Sequence, residues 1–387
     1  MNSPRLKYFM WLLIAITLVG INAAPFIFHQ LDIWHAQGIW VQGCIAILFS
    51  CSLFLKGASN VRNIPLGIMH LWVALFTLYI CFNAQVEGRY NLSTFLPYFN
   101  FLCLLIFYKI IVEYLKYDSI EKILGWMRWA ILATLFMCVL QKLGLSQFFQ
   151  LFDAVNANEA KYNNNIVVGF LGNGTHLSGF LASSIPLFLL EKKRENVLAL
   201  ILLGLVLTQT GSTVGDPSLS GFVVAGVIAI AFTFWHSKRN GWIVLGCAIC
   251  CMLIAFSCMP KSFWSFNGRL DIWAFYIEKF KTFFPLTGFG LGKVNEIYEL
   301  TPFPKARHLH LEYLHFAVEL GLIFIVCLIA CIKDFFAIET YTKTHFLLKL
   351  MVLGFLVSCL FNYPAHLWLP ATWCMFAYAS AYAIKEQ

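Results

Sequence analysis

Residues 8–28 read YFMWLLIAITLVGINAAPFIF, an uninterrupted apolar stretch without a charged side chain. The hydrocarbon core of a bilayer is about 30 Å thick, and a helix needs about 20 apolar residues to cross it. This stretch is long enough to do so, and it is too long for the apolar part of a cleaved signal peptide. Because backbone polar groups in lipid must be hydrogen-bonded within their own segment, the stretch is predicted to be a helix.

The same pattern recurs along the whole chain. Hydrophobic residues make up 60% of the sequence and charged residues only 12%, against roughly 25% charged residues in an ordinary soluble domain. This composition excludes a soluble enzyme, a disordered chain and a nucleic-acid-binding module. We predict an all-α polytopic membrane protein, a single domain over residues 1–387, with about 12 transmembrane helices. The predicted spans are 8–28, 36–55, 64–83, 95–115, 123–143, 166–190, 197–210, 219–235, 242–259, 316–332, 346–362 and 367–384.

Lysine and arginine side chains predict how these spans are oriented. One set of short loops and termini contains fourteen of them, whereas the short loops on the other side contain three. Since positively charged short loops stay in the cytoplasm, both termini are predicted to be cytoplasmic. A long loop, residues 260–315, then falls on the outer side, together with a shorter polar loop at 146–165.

The long outer loop combines an amphipathic stretch, a glycine-rich turn and a basic cluster. Apolar residues at helical spacing between Leu270 and Phe280 predict a helix on the membrane surface. Residues 285–292, PLTGFGLG, predict a turn rather than a phosphate-binding loop, because neither GK[ST] nor a strand–helix context accompanies them. The loop also contains seven basic residues, which indicate either tolerated surface charge or a site for an anionic group. They are Lys261, Arg269, Lys279, Lys281, Lys293, Lys305 and Arg307.

Residues 307–315, RHLHLEYLH, contain the densest polar chemistry of the sequence, directly before an apolar span. On a helix, His308, Glu312 and His315 would share one face. Three interpretations are open: a histidine that acts as general base near neutral pH, a zinc site, or histidines that make only interfacial hydrogen bonds. We expect no metal, because the HExxH pattern is absent and neither a thiolate nor a further carboxylate is identified nearby in the sequence.

Four parts of the sequence, in this order and topology, resemble the bacterial O-antigen ligase and O-antigen polymerase superfamily. They are GFLGNGTHLSGFL at 169–181, LTQTGS at 207–212, NGRLDIW at 267–273 with PLTGFG at 285–290, and HLHLEYL at 308–314 with ELG at 319–321. His310 and Gly321 also have the histidine-to-glycine spacing of the ligases. The similarity is clearest over residues 169–325.

This resemblance implies a metal-independent, inverting glycosyltransferase without a cofactor, at the periplasmic face of a bacterial inner membrane. The donor would be a glycan linked to undecaprenyl diphosphate. The acceptor would be lipid A–core for a ligase in lipopolysaccharide biosynthesis, or a second lipid-linked glycan for a polymerase. Membrane lipids are the other expected partners, and nucleic acid is not one.

Carried over to this sequence, the resemblance implies that His310 is the catalytic histidine and that Arg269 holds the diphosphate. The family has an arginine near position 211, where this chain has glycine. Leu311 and Phe324 also depart from the ligase pattern. The further candidates for diphosphate or substrate binding are Arg307, His308, Lys305, Glu312 and Arg89.

Two alternatives to the favoured ligase function stay open. The first is an O-antigen polymerase, which shares the same motifs. The second is a polysaccharide transporter or flippase, which the number of spans also suits. Transporters place paired charges or broken helices near the middle of the bilayer. Few charged residues fall inside the predicted spans, which favours the enzyme.

Overall fold

A computed structural model describes the chain at residues 4–27, 33–56, 92–145, 167–190, 194–210, 218–258, 269–283, 286, 288–289, 294 and 309–385. These residues form helices joined by turns, and no strand occurs among them. The all-α prediction is therefore confirmed. Long apolar sequences with few prolines favour this outcome, because each helix satisfies its own backbone hydrogen bonds.

The helices follow the apolar segments closely. Each predicted span that falls within the described residues contains a helix, whereas the span at 64–83 and the polar loop at 146–165 lie outside them. Short 3₁₀ helices occur at Ile185–Leu189 and Pro364–His366. In chain order the helices are α1 (Pro4–Gly20), α2 (Ala24–Ile27), α3 (Ile33–Lys56), α4 (Leu92–Tyr114), α5 (Tyr117–Lys142), α6 (Gly174–Ser183), α7 (Arg194–Leu207), α8 (Leu219–His236), α9 (Lys238–Cys258), α10 (Arg269–Phe283), α11 (Glu312–Ala337), α12 (Lys343–Ser358) and α13 (Trp368–Lys385).

Two helices in the described part of the chain, α5 and α11, are long and apolar enough to cross a membrane. Shorter apolar helices are found at Tyr8–Gly20 and Ser220–His236. Length and composition alone do not distinguish a membrane span from a buried core helix. The topology of about 12 spans stays a prediction.

The segment predicted as one span at 166–190 is not a continuous helix. Gly169 and Gly172 have φ angles of 53° and 69°, in the left-handed region that glycine adopts at little cost. The chain therefore turns before α6 begins. Asn173 caps α6, because its side-chain oxygen accepts hydrogen bonds from the amides two and three residues later. Hydropathy is continuous across this segment, so the sequence pattern did not reveal the turn.

Helix α12 packs against α6, α8 and α13. Leu348 and Met351 belong to its buried surface. Gly354 allows close approach to α6, since a Cβ atom there would lie 3.0 Å from Ser183 Cα. Because α12 and α13 are fixed in this way, the connection between them, residues 359–367, has a defined position. That connection forms one wall of the candidate site.

The amphipathic helix predicted in the outer loop is present as α10. Leu270 and Ile277, which belong to the predicted apolar stripe, are exposed. Ile272 and Tyr276 are buried and pack with Val318 of α11. The helix therefore has an exposed and a buried apolar face, and Trp273 of the predicted stripe packs against the buried one. The buried face fixes the start of α10 beside the start of α11.

Candidate active site

Helix α11 is interrupted at Gly321, where φ is 77° and ψ is 179°. This backbone region is essentially restricted to glycine. Before the break, Glu312, His315 and Glu319 are all buried, and their spacing places them on one side of the helix. The predicted span 316–332 did not anticipate the break. It separates a short polar segment from the apolar remainder of α11.

The described residues of the glycine-rich segment, Leu286, Gly288 and Phe289, pack into this break. The Phe289 amide donates a hydrogen bond to the Val318 carbonyl at 2.8 Å. The Ile323 amide donates to the Leu286 carbonyl at 3.3 Å. These two bonds satisfy backbone groups that the interruption at Gly321 would otherwise leave without helical partners. The turn is thus held by the backbone of α11 on both sides of the break.

Gly288 makes the close contact of this turn with α11 possible. Its φ is 71°, and a Cβ atom there would lie 2.5 Å from the backbone carbonyl of Glu319 and 2.6 Å from the Gly321 nitrogen. The same loop then reaches the Glu319 side chain, because the Val294 amide donates to its Oε1 at 3.3 Å. The turn therefore positions a buried carboxylate as well as the backbone.

Arg269 and His310, the two residues expected to be catalytic, lie close together. Arg269 begins α10, and its Nη1 donates to the Phe361 carbonyl at 3.1 Å. His310 directly precedes α11 and has a φ of 50°. Such a conformation is strained for a residue other than glycine and is concentrated at functional sites. The His310 ring lies 5.6 Å from the Tyr363 ring, measured between centroids.

The electrostatic environment keeps His310 neutral. Burial lowers the pKa of His310, and the nearby positive charge of Arg269 lowers it further, to about 4. At neutral pH the imidazole is therefore uncharged and able to accept a proton. Its Nδ1 is buried without a hydrogen-bond partner among the described residues. Trp273 holds the adjacent backbone, since its indole donates to the Leu309 carbonyl at 2.7 Å.

A second group of titratable side chains follows His310. The fully buried Glu312 lies with its Oε1 2.7 Å from His366 Nδ1, and His315 Nε2 lies 3.2 Å from Glu319 Oε1. The rings of His315 and His366 are 4.5 Å apart. Desolvation lowers the pKa of His366, but the charge and hydrogen bond of Glu312 outweigh it and raise that pKa to about 9.

The connection between α12 and α13 touches both groups. Besides its contacts with Arg269 and Glu312, it carries Asn362, whose Nδ2 donates to Ser220 Oγ at 3.2 Å. The ring of His176, in the first turn of α6, lies 4.3 Å from the Tyr363 ring. The ends of α6, α8, α10 and α11 therefore meet around one short connection.

A cavity of about 410 Å³ opens beside the second group, between α4, α11, α12 and α13. Glu312 and His366 line it near the start of α11, and Leu320, Phe324 and Phe335 line it farther along. At 1.5 Å per residue, the wall from residue 312 to residue 335 is up to about 35 Å long. An elongated apolar cavity with polar groups at one end suits a ligand with an apolar chain and a polar head group.

The structure brings Arg269, His310 and Glu312 into one region. His366 and Tyr363 were not predicted, because only tertiary packing brings their connection to the site. His315 entered the zinc interpretation alone, and Glu319 was quoted only as part of the ELG motif, although their spacing of four residues on a helix is a detectable signal. Four predicted residues lie outside the described part of the chain: Arg89, Lys305, Arg307 and His308.

Comparisons with known proteins give no relative. No model of a known protein family matches the chain, and no curated protein is significantly similar to it.

Proposed function

We propose that the chain is a polytopic glycosyltransferase of a bacterial inner membrane, with about 12 spans, cytoplasmic termini and a periplasmic site. It transfers a glycan from undecaprenyl diphosphate to a sugar hydroxyl. Lipid A–core is the favoured acceptor, which makes the protein an O-antigen ligase of lipopolysaccharide biosynthesis. A second lipid-linked glycan is the alternative acceptor and would make it an O-antigen polymerase.

The pairing of Arg269 with His310 carries this proposal. A guanidinium binds phosphate oxygens through planar, charge-assisted hydrogen bonds. A neutral imidazole beside it can accept the proton of an attacking hydroxyl. The two residues come from two segments that resemble the ligase and polymerase superfamily, and a third such segment reaches the same connection through His176. Separate segments of the resemblance thus converge in space, which supports the proposal.

The proposed reaction is a single displacement. The acceptor hydroxyl oxygen attacks the anomeric carbon of the donor from the face opposite the diphosphate. The new carbon–oxygen bond forms while the bond to the diphosphate oxygen breaks, so the anomeric configuration inverts. His310 accepts the hydroxyl proton, and Arg269 binds the departing diphosphate and offsets its charge.

Donor binding would also make His310 a stronger base. Before the donor binds to Arg269, the His310 pKa of about 4 makes the imidazole neutral but weakly basic. A diphosphate bound to Arg269 offsets the positive charge, so the His310 pKa rises, while burial still holds it below its ordinary value of about 6.5. Because general bases work best when their pKa is near the operating pH, donor binding and proton transfer are coupled.

The helix surfaces support a membrane location. Large apolar side chains are exposed on several helices, among them Trp129 at 72%, Val326 at 66% and Leu198 at 61%. Soluble monomers rarely expose extended apolar patches. On α11, Val326 and Ile329 are exposed, while Phe324 is buried and lines the cavity. Such a helix would face lipid on one side and the cavity on the other.

The cavity supports a lipid-linked donor. Its long apolar part between α4, α11, α12 and α13 suits a polyprenyl chain. Its polar end lies at the α12–α13 connection, where the Phe361 carbonyl accepts a hydrogen bond from Arg269. A donor whose chain enters the cavity would therefore present its diphosphate close to Arg269. Contacts with this remote chain would position the anomeric carbon for the attack.

The break in α11 is the observation that favours a transporter or flippase. Transporters build binding sites at interrupted helices, and here the interruption at Gly321 lies beside the buried His315 and Glu319. A transporter moves its substrate without joining it to an acceptor. Its activity would therefore not require proton transfer to His310, which separates the two functions experimentally.

The lipopolysaccharide ladder of a deletion strain, complemented by wild type, His310→Gln or the exposed control His236→Ala, tests the proposal. Loss of all long-chain bands with accumulation of lipid-linked polymer indicates a ligase. Retention of core plus one repeat indicates a polymerase. His310→Gln should fail to restore the ladder, and His236→Ala should restore it. An unchanged ladder in the deletion strain contradicts both enzymatic functions.

A further inference from the structure

The group that follows His310 has the donor atoms and spacing of a metal site. One ligand atom from each of His315, Glu319 and His366 lies within 4.8 Å of the others. In a tetrahedral zinc site the ligand atoms are about 3.3 Å apart. His315 Nε2 and Glu319 Oε1 already lie 3.2 Å apart. His366 therefore needs to approach by about 1.5 Å at most to complete such a site.

Glu312 supplies the contact that metal-bound histidines usually make with their second ring nitrogen. Its Oε1 lies 2.7 Å from His366 Nδ1. A carboxylate at this nitrogen keeps the Nδ1 proton in place, so that a metal ion displaces the proton of Nε2 and binds there. Glu312 is fully buried, and its Oε2 has no hydrogen-bond partner among the described residues. A buried, partly unsatisfied carboxylate thus lies next to the three candidate ligands.

The backbone holds these ligands in place before any ion binds. His315 and Glu319 are four residues apart in the helical segment before the break at Gly321, a spacing that directs two side chains to one side of a helix. The Val294 amide orients Glu319 by donating to its Oε1 at 3.3 Å. His366 comes from the connection between α12 and α13. An ion bound here would join the first part of α11 to this connection.

The site is accessible to an ion. The His366 side chain is 28% exposed, and both His366 and Glu312 line the apolar cavity. Three protein ligands leave one tetrahedral position open, which water or a phosphate oxygen could occupy.

We propose that His315, Glu319 and His366 bind one divalent transition-metal ion of the zinc class, with Glu312 orienting His366. Two imidazoles and a carboxylate suit zinc, whereas magnesium and calcium prefer oxygen ligands. The sequence pattern did not predict this site, because the zinc interpretation grouped His315 with His308 and Glu312 and overlooked the carboxylate of Glu319. This inference does not depend on the proposed glycosyl transfer, since it concerns binding by the protein alone.

Zinc titration of the purified full-length chain in detergent tests the proposal. The protein carries no polyhistidine tag and is first treated with EDTA and dialysed. Bound zinc is measured by elemental analysis after gel filtration, and its affinity by competition with a chromophoric chelator. We expect one zinc per chain and an increase in the thermal unfolding midpoint.

The variants His315→Ala, Glu319→Gln and His366→Ala remove one ligand each. We expect each to weaken zinc binding by at least tenfold, and Glu312→Gln to weaken it by about 10- to 100-fold. His236→Ala, at the exposed end of α8, is the matched histidine control and should bind like wild type. Gel filtration and the unfolding midpoint without metal show whether each variant folds, and Glu319→Gln keeps the side-chain shape.

Cobalt substitution of the wild-type protein provides a test that needs no variant. The chain contains 13 cysteines, which could themselves bind zinc. Nitrogen and oxygen ligands give tetrahedral Co²⁺ visible bands without the ultraviolet charge-transfer band of thiolate ligands. A thiolate band, the absence of saturable binding, or unchanged affinity in folded Glu319→Gln would each overturn the proposal.

Discussion

The two ends of α11 both bury polar side chains, but they use them differently. At the far end, Lys349 donates to the carbonyls of Phe336 and Ile338 and to Thr340 Oγ1. The two carbonyls are backbone groups that the end of a helix leaves without partners. At the near end, His310 has a strained backbone, and its Nδ1 and Glu312 Oε2 have no hydrogen-bond partner among the described residues.

The strained backbone of His310, next to the unsatisfied carboxylate of Glu312, marks the near end as the candidate functional one. The start of α12, which follows this end, is linked to α5, since Glu121 Oε1 accepts hydrogen bonds from Tyr117 at 2.7 Å and Thr344 at 2.9 Å. The backbone there is unstrained, although the ring nitrogens of the buried His345 have no hydrogen-bond partner among the described residues. At the near end, strain and unsatisfied buried atoms have a free-energy cost that the fold itself does not require. Such a cost is expected where a substrate or ion completes the site.

The largest effect is expected from His310→Gln. If His310 accepts the acceptor proton, the variant should transfer glycan about 10²- to 10⁴-fold more slowly, with little change in the unfolding midpoint. Turnover of a lipid-linked donor by purified protein measures this effect. A comparable loss in His236→Ala, which lies outside the site, would show that the loss of turnover is not specific to His310.

Arg269→Gln should lower turnover by about 10²- to 10³-fold, because the leaving diphosphate loses its cation. It should also change the pH profile. In wild type, kcat/KM should fall as the pH falls through the His310 pKa of about 4, since His310 becomes protonated. Without the positive charge of Arg269 that pKa rises, so the acid limb moves to higher pH. If the acid limb of the Arg269→Gln profile stays at the wild-type pH, Arg269 and His310 do not interact electrostatically.

Lys349→Met tests the far end. Its removal leaves carbonyls at the end of α11 without a donor, and we expect the free energy of unfolding to fall by about 1–3 kcal/mol. Turnover per folded molecule should stay close to wild type. Denaturant titration in detergent and the turnover assay measure the two quantities. Loss of turnover without loss of stability would assign a functional role to this end as well.

The most local effect is expected from Gly288→Ala in the glycine-rich turn. The new Cβ would meet the Glu319 backbone at 2.5 Å, which should weaken packing of the turn by about 1–3 kcal/mol. Hydrogen exchange at the Phe289 and Ile323 amides should accelerate accordingly. Gly226→Ala on α8 is the control, because a Cβ there would meet nothing within 4 Å. Unchanged exchange in Gly288→Ala would contradict the packing of the turn into α11.

The sequence predicted the helices better than their interruptions. Hydropathy identified the apolar segments, because helix formation there depends on local composition. It missed the turn before α6 and the break at Gly321, since both depend on the φ angles of single glycines within apolar sequence. The concentration of polar residues around position 310 indicated His310 and Glu312 as candidate site residues. His366 could not be predicted, because it reaches Glu312 through the packing of α12 against α13.

Turnover of a synthetic polyprenyl-diphosphate glycan by the purified protein tests the central claim most directly. The assay combines donor and acceptor with wild type or His310→Gln, and it measures released polyprenyl diphosphate, joined glycan and the configuration of the new linkage. We predict equal amounts of both products with inverted configuration for wild type, and at least a hundredfold slower turnover for His310→Gln. Equal turnover by the two proteins would contradict the account.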